Sequence, residues 1–203
     1  MRRLLLQSVA SLLVLSLLTG IVYPLIVTAV ANLCCTRAAG GSLIWRAAAG
    51  DAAAGAVAHG ETLIGSALLA QPFDQPQYFW PRPSATSPQP YDGRASGGSN
   101  LGPTNPAQLA AVQQRVAQLQ AADPGNALPI PVDLVTASGS GLDPDISPAA
   151  AEYQLARVAR TRGMTPEQVR NHIAAHTRLR QWGIFGEPRV NVLELNLALD
   201  ADR

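Results

Sequence analysis

This chain of 203 residues contains no lysine; all 15 of its basic side chains are Arg. A phosphate-cradling P-loop needs a Lys after its last Gly to reach the phosphates, so nucleotide hydrolysis of that kind is excluded. Charge of either sign is sparse, at 14% of residues and a net of +1. A balance so close to neutral, with the Arg residues scattered, argues against nucleic acid or an anionic lipid surface as the main partner. Cysteine is nearly absent too. Its two instances, Cys34 and Cys35, are adjacent, so they cannot tie distant parts of a fold together, and no metal-ligating residues accompany them.

Apolar residues are plentiful, at 47%, enough for the core of one ordinary domain plus an appendage. The run from Val9 to Leu33 carries no charge. As a helix it would extend about 37 Å at about 1.5 Å per residue, which crosses a bilayer. Ala29-Val30-Ala31 fits the small-x-small pattern of a signal-peptidase site. A cleaved signal, however, has an apolar core of only about 7 to 15 residues, so a retained anchor over 9–33 is expected. No lipobox precedes either cysteine, because Ala31-Asn32-Leu33 lacks the small residues it requires. Arg2 and Arg3 lie on the short N-terminal side, and the positive-inside rule then puts residues 1–8 in the cytoplasm and the bulk of the chain outside it. Within the span, Ser16, Gly20, Pro24 and Thr28 recur every fourth residue. Such residues are common in single spans, yet small ones also let another helix approach closely, which makes this stripe a candidate docking face.

Residues 34–61 form an Ala/Gly-rich connection, with a short strand expected at Leu43-Ile44-Trp45 and a loop or insertion at "RAAAGDAAAGAVAHG". Residues 62–203 read as one mixed α/β (α+β) domain, starting with a strand over Thr62 to Leu69. Pro72, Pro76, Pro81, Pro83, Pro88 and Pro90 forbid helix and imply an extended run carrying Tyr78, Phe79 and Trp80, which are either core or contact residues. Three helices are marked by caps: Asn105-Pro106 to about Ala122, Ser147-Pro148 to about Arg162, and the capping box Thr165-Pro166-Glu167-Gln168 to about Arg180. Strands are expected at Val132 to Thr136 and at Val190 to Leu199, the latter needing a β-bulge near Val192 to reconcile two phases of alternation.

Two Gly/Ser loops precede helix starts. A shift of 42 residues lays Ala95-Ser96-Gly97 on Ala137-Ser138-Gly139, Asn105-Pro106 on Ser147-Pro148, and Arg115-Val116 on Arg157-Val158. Shared cap chemistry and a duplicated loop-helix unit both explain this match. Gly97, Gly98, Asn100 and Gly102 in the first loop, and Ser138, Gly139, Ser140 and Gly141 in the second, are candidate partner-surface positions. The first loop, "ASGGSNLGPTNP", has Arg94 as its only close cation, too little charge for a polyphosphate.

No catalytic constellation emerges. His172 and His176 have the spacing of a helical metal pair, but Ile173 stands where a zincin needs Glu. Pro144 falls where a dinucleotide loop needs its final Gly, and none of the loop serines sits in a nucleophile elbow. Asp133, Asp143 and Asp145 could neighbour one another, yet Asp-Pro and Asp near a helix start are ordinary turn and dipole chemistry.

The strings "YFWPRPSA", "ASGGSNLGPTNP", "PVDLVTASGSGLDPDISPAAAEYQLARVA" and "GEPRVNVLELNLALD" closely resemble the small C subunit of the bacterial Kdp potassium-transporting P-type ATPase. The resemblance covers the anchor and nearly everything from Thr62 onward; it is weakest over Arg37 to Gly60, and Asp92 stands where the family commonly has Asn. It implies a single-pass protein of the bacterial inner membrane and a non-catalytic accessory subunit without a cofactor of its own. Its partners would be a channel-like potassium subunit, the ATP-hydrolysing pump subunit and the lipid bilayer, with no nucleic acid. The family has also been described as a catalytic chaperone that raises the pump's affinity for ATP, with a nucleotide-contacting signature over Ser138 to Gln154. Carried over, that role makes Gln154 the candidate ATP contact. A domain outside the cytoplasm conflicts with it, since ATP would meet the complex only through the pump subunit.

Overall fold

The structure is a computed structural model, described over residues 1–47, 57–58 and 61–202. Most of the "RAAAGDAAAGAVAHG" stretch lies outside the described residues. The chain divides into two compact units, Met1–Ser66 and Ala67–Arg203.

The first unit opens with a helical run, Arg2–Cys34, of 33 residues, within which an 18-residue stretch has a mean hydropathy of 2.3, long and apolar enough to cross a membrane. It comprises α1 (Arg2–Leu17), a π-helical turn (Leu18–Val22) and α2 (Tyr23–Cys34). Pro24 accounts for the wide turn: its ring clashes with the carbonyl four residues back and it donates no hydrogen bond, so the ladder slips by one residue just ahead of it. A one-turn helix, α3 (Thr36–Ala39), leads to a small antiparallel sheet in the order β1-β3-β2, from β1 (Leu43–Ala47), β2 (Val57–Ala58) and β3 (Glu61–Ser66). β3 ends at Ser66 rather than running on to Leu69; the Ser66 hydroxyl donates to the carbonyl of Gly41 at 2.7 Å.

The second unit contains α4 (Pro106–Ala122), β4 (Asp145–Ile146), α5 (Pro148–Arg162), α6 (Pro166–Ala175), β5 (Thr177–Arg178), β6 (Arg189–Asn191) and α7 (Val192–Ala201). Together the units give a mixed helix and sheet fold with one N-terminal membrane-length helix and a small α/β domain. A second antiparallel sheet has the order β4-β6-β5, with Ile146 and Thr177 both opposite Val190. The caps act as their residue types require: Asn105 accepts from the Ala107 amide, Ser147 from Ala150, and Thr165 with Gln168 completes a capping box. Each such cap is worth about 1 kcal/mol. α5 ends at Gly163, whose φ of 68° suits a residue without Cβ.

α5 is the hub of the core. Ala150, Ala151, Tyr153, Leu155, Val158 and Ala159 are buried on it, against Phe79 from the Pro-rich run, Val169 and Ile173 of α6, and Val192, Leu195 and Leu199 of α7. Phe79 is fully buried, a contribution of roughly 1.5 to 3 kcal/mol from that one ring.

Three expectations are corrected here. Val132 to Thr136 is not a strand; Val132–Leu134 is a 3-10 turn, closed by the Thr136 amide and hydroxyl both donating to the Val132 carbonyl. The third helix stops at Ala175, because the backbone of His176 leaves helical geometry at φ −102° and ψ 6° and Thr177 enters β5. The run Val190 to Leu199 contains no bulge: β6 ends at Asn191, which caps α7 by accepting from the Glu194 amide at 3.0 Å. Val192, Leu195, Asn196 and Leu199 then form one buried helical face.

Candidate functional site

Ser16, Gly20, Pro24 and Thr28 all lie on the membrane-length helix and are exposed. Four residues overshoot one α-helical turn by about 40°, so a fourth-residue stripe drifts round a regular helix. The wider π-helical turn at Leu18–Val22 reduces that drift between Ser16 and Pro24. At Gly20 a Cβ would meet nothing within 4 Å, so the position is open to a neighbouring helix.

The two Gly/Ser loops pack against each other. The Gly97 amide and the Ser96 hydroxyl donate to the Ser140 carbonyl at 2.9 and 3.2 Å. Gly98 lies so close that a Cβ there would sit 3.0 Å from the Gly139 oxygen. Gly141 has φ +69° and no room: a Cβ would come within 2.5 Å of Thr86 Cγ2 and 2.9 Å of the Gly97 oxygen. The Ser84 hydroxyl donates to the Gly141 carbonyl at 2.7 Å, and the Ser138 amide to the Pro83 carbonyl at 3.1 Å. The Gly97 amide, which a phosphate cradle would aim at a ligand, is thus committed to the opposite loop. Ser138 and Gly141 are buried in this contact, while Asn100, Gly102, Gly139 and Ser140 are exposed. Of the eight candidate positions, those four are the exposed ones.

Gln154 lies inside. It is 1% exposed; its Oε1 accepts from the Trp80 amide and from Arg157 Nη2, both at 2.8 Å. Its Nε2 donates to the carbonyls of Trp80 at 3.2 Å and Ala150 at 3.3 Å. Asn196, from α7, treats Phe79 likewise, accepting from its amide at 2.8 Å and donating to its carbonyl at 3.0 Å. Arg157 and Arg162 of α5 complete the clamp by donating to the carbonyls of Pro76 and Gln77. A run whose prolines cannot join a sheet thereby has its buried backbone groups satisfied by side chains. The Arg157 guanidinium sits 4.6 Å from the Trp80 ring centroid, and burial lowers its pKa to about 10. Sequence reasoning gave Asn196, Arg157 and Arg162 no part in holding this run, since pairings across such distances in the chain leave no local signal.

The acidic residues of the loops are engaged as well. Asp133 accepts from the Ser147 amide at 2.8 Å, filling the N-terminal position of α5 with a carboxylate. Asp143 pairs with Arg82 at 2.8 Å and Asp145 with Arg189 at 2.9 Å, beside a cavity of about 580 Å³. Burial raises the Asp145 pKa, and Arg189 opposes that. His172 is paired with Asp202 at 2.7 Å, and His176 Nδ1 lies 2.9 Å from the His172 carbonyl oxygen. A second cavity, of about 530 Å³, is walled by Phe73, Trp80, Tyr91, Arg115 and Leu119.

With anchor, clamp and loops in place, comparison with known proteins decides the lineage. The family model described as K+-transporting ATPase, c chain, matches residues 5–201. The chain belongs to the KdpC family. It is similar to the potassium-transporting ATPase KdpC subunit of Variovorax paradoxus, 60% identical over 92% of this chain and 90% of the relative. The subunit of the same name from Sorangium cellulosum is 57% identical over 95% and 94%. That of Methylibium petroleiphilum is 54% identical over the full length of both, so the stretch from Arg37 to Gly60 has a counterpart there. As a KdpC chain, the protein is a separate, non-catalytic subunit of a potassium-transporting ATPase and, with its membrane-length helix, a membrane protein.

Proposed function

We propose that this KdpC chain is an assembly subunit: its membrane helix packs against a channel-like potassium subunit, and its domain stabilises the contact with the ATP-hydrolysing subunit from outside the cytoplasm. The burial of Gln154 carries this reading over an ATP-binding one. A nucleotide reaching that side chain would first have to displace Trp80 and Arg157, leaving two backbone groups and one arm of a buried guanidinium without partners. The paired Gly/Ser loops support the same reading, since the Gly97 amide is already spent on Ser140. Arg2 and Arg3 on the short side of the span support an extracytoplasmic domain.

Copurification of the tagged full chain with its transport subunits, together with photolabelling of the detergent-solubilised complex by an azido-ATP, tests the proposal. The chain should bring down both subunits, and label should be confined to the others. Gly20→Leu, placed where a Cβ now meets open space, should reduce recovery, whereas Leu13→Ile should not. Label in the peptide containing Gln154, or failure to recover the subunits, would defeat it.

A further inference from the structure

β5 and β6 are joined by a turn whose tip is apolar and ordered. Leu179 is 74% exposed, Trp182 87%, Ile184 72% and Phe185 58%. This exposure is not the product of a slack loop. The Gln181 amide donates to the Phe185 carbonyl at 2.8 Å and the Phe185 amide to the Gln181 carbonyl at 3.0 Å. Trp182 itself takes a left-handed φ of 51°, followed by Gly183 at 75° and Gly186 at 78°. Its ring meets that of Phe185 edge to face, 6.0 Å between centroids. Below the tip every charge is paired: Arg180 with Glu187 at 2.6 Å, Arg178 with Glu194 at 2.7 Å and Arg189 with Asp145 at 2.9 Å. Residues 181–186 carry no charge, so the tip can be desolvated without stranding an ion.

We propose that this turn docks into an apolar pocket on a membrane-embedded subunit of the same ATPase complex, with Trp182 as its deepest residue. The proposal rests on the assembly role set out above. The two rings offer on the order of 300 Å². A free-standing interface needs about 800 Å² per partner. The tip is therefore too small to hold a second copy of the chain by itself, and it serves only a partner that something else already keeps nearby. The membrane span of the same chain provides that, by confining the domain to the bilayer surface where the other subunits lie. Between those subunits and the lipid itself, two observations decide. The neutralised base gives no attraction to anionic headgroups, and a rigid tip is rewarded by a shaped pocket but not by a fluid bilayer.

The test replaces Trp182 with p-benzoyl-phenylalanine in the full chain within the complex, with the same probe at exposed Leu128 as control. After irradiation, position 182 should yield an adduct with another subunit in about tenfold excess over position 128, the contrast expected of a buried anchor. A phospholipid adduct, an adduct with a second copy of this chain, or a yield no greater than at 128 would each overturn the docking. Because both side chains are exposed, the probe leaves the fold intact. If the unsubstituted chain copurifies with the transport subunits but 182 fails, only the docking falls. If it does not copurify, the assembly role falls with it.

Discussion

Gln154 holds Trp80 by both arms of its amide, accepting from the backbone N–H at 2.8 Å and donating to the carbonyl at 3.2 Å. One helical side chain thus does for the Pro-rich run what a neighbouring strand does elsewhere. A third bond, from Arg157 at 2.8 Å, ties a buried cation to the same oxygen.

Gln154→Leu should therefore cost about 2 to 4 kcal/mol of stability, because it strands two backbone groups and one arm of a buried guanidinium together. Denaturant unfolding of the full chain in detergent measures this. The assembled pump's Michaelis constant for ATP should be unchanged in whatever complex survives. A stable variant with weakened ATP use would point to a nucleotide contact instead.

The loop contact gives a sharper contrast between two glycines. Gly141→Ala would force a Cβ to within 2.5 Å of Thr86 and 2.9 Å of the Gly97 oxygen at a φ of +69°, and should destabilise by about 2 kcal/mol or more. Gly102→Ala meets open space and should change stability by less than about 0.5 kcal/mol. Thermal melts of the two variants side by side decide, and similar melting points would contradict the packing of the loops.

How much of this was legible depends on the range of the interaction. Helix starts are local chemistry, and Asn105, Ser147 and Thr165 announced theirs. Val190 to Leu199 misled because alternating leucines satisfy a strand while Val192, Leu195 and Leu199 also satisfy a helix. The deciding signal was Asn191 three residues before Glu194, a cap inside an apolar run. The clamp on Phe79 and Trp80 was illegible, since Gln154 and Asn196 lie 74 and 117 residues from their partners. The apolar tip did leave a trace: Trp182, Ile184 and Phe185 stand among the glycines 183 and 186, where a turn rather than a core element was to be expected.

Tyr91 provides a pH test. Its hydroxyl donates to the Arg82 carbonyl at 3.0 Å, and burial pushes its pKa from 10.0 to about 12. The folded chain then holds this proton more tightly than the unfolded chain does. Stability from the group is complete below pH 10 and is lost as pH rises toward 12. Tyr91→Phe should be less stable than the parent at neutral pH, and the gap should narrow across that window. Denaturant unfolding at several alkaline pH values follows it; a gap constant with pH would refute the burial of this hydroxyl.

The side of the membrane on which the domain lies decides between assembly and ATP contact. Cys34 and Cys35 are the only thiols, so changing both to Ser and placing a single Cys at exposed Ser87 gives a clean reporter. With the domain outside the cytoplasm, a membrane-impermeant maleimide should label that Cys in intact spheroplasts expressing the full complex. Labelling only after lysis would place the domain beside cytoplasmic ATP and contradict the assembly role proposed here.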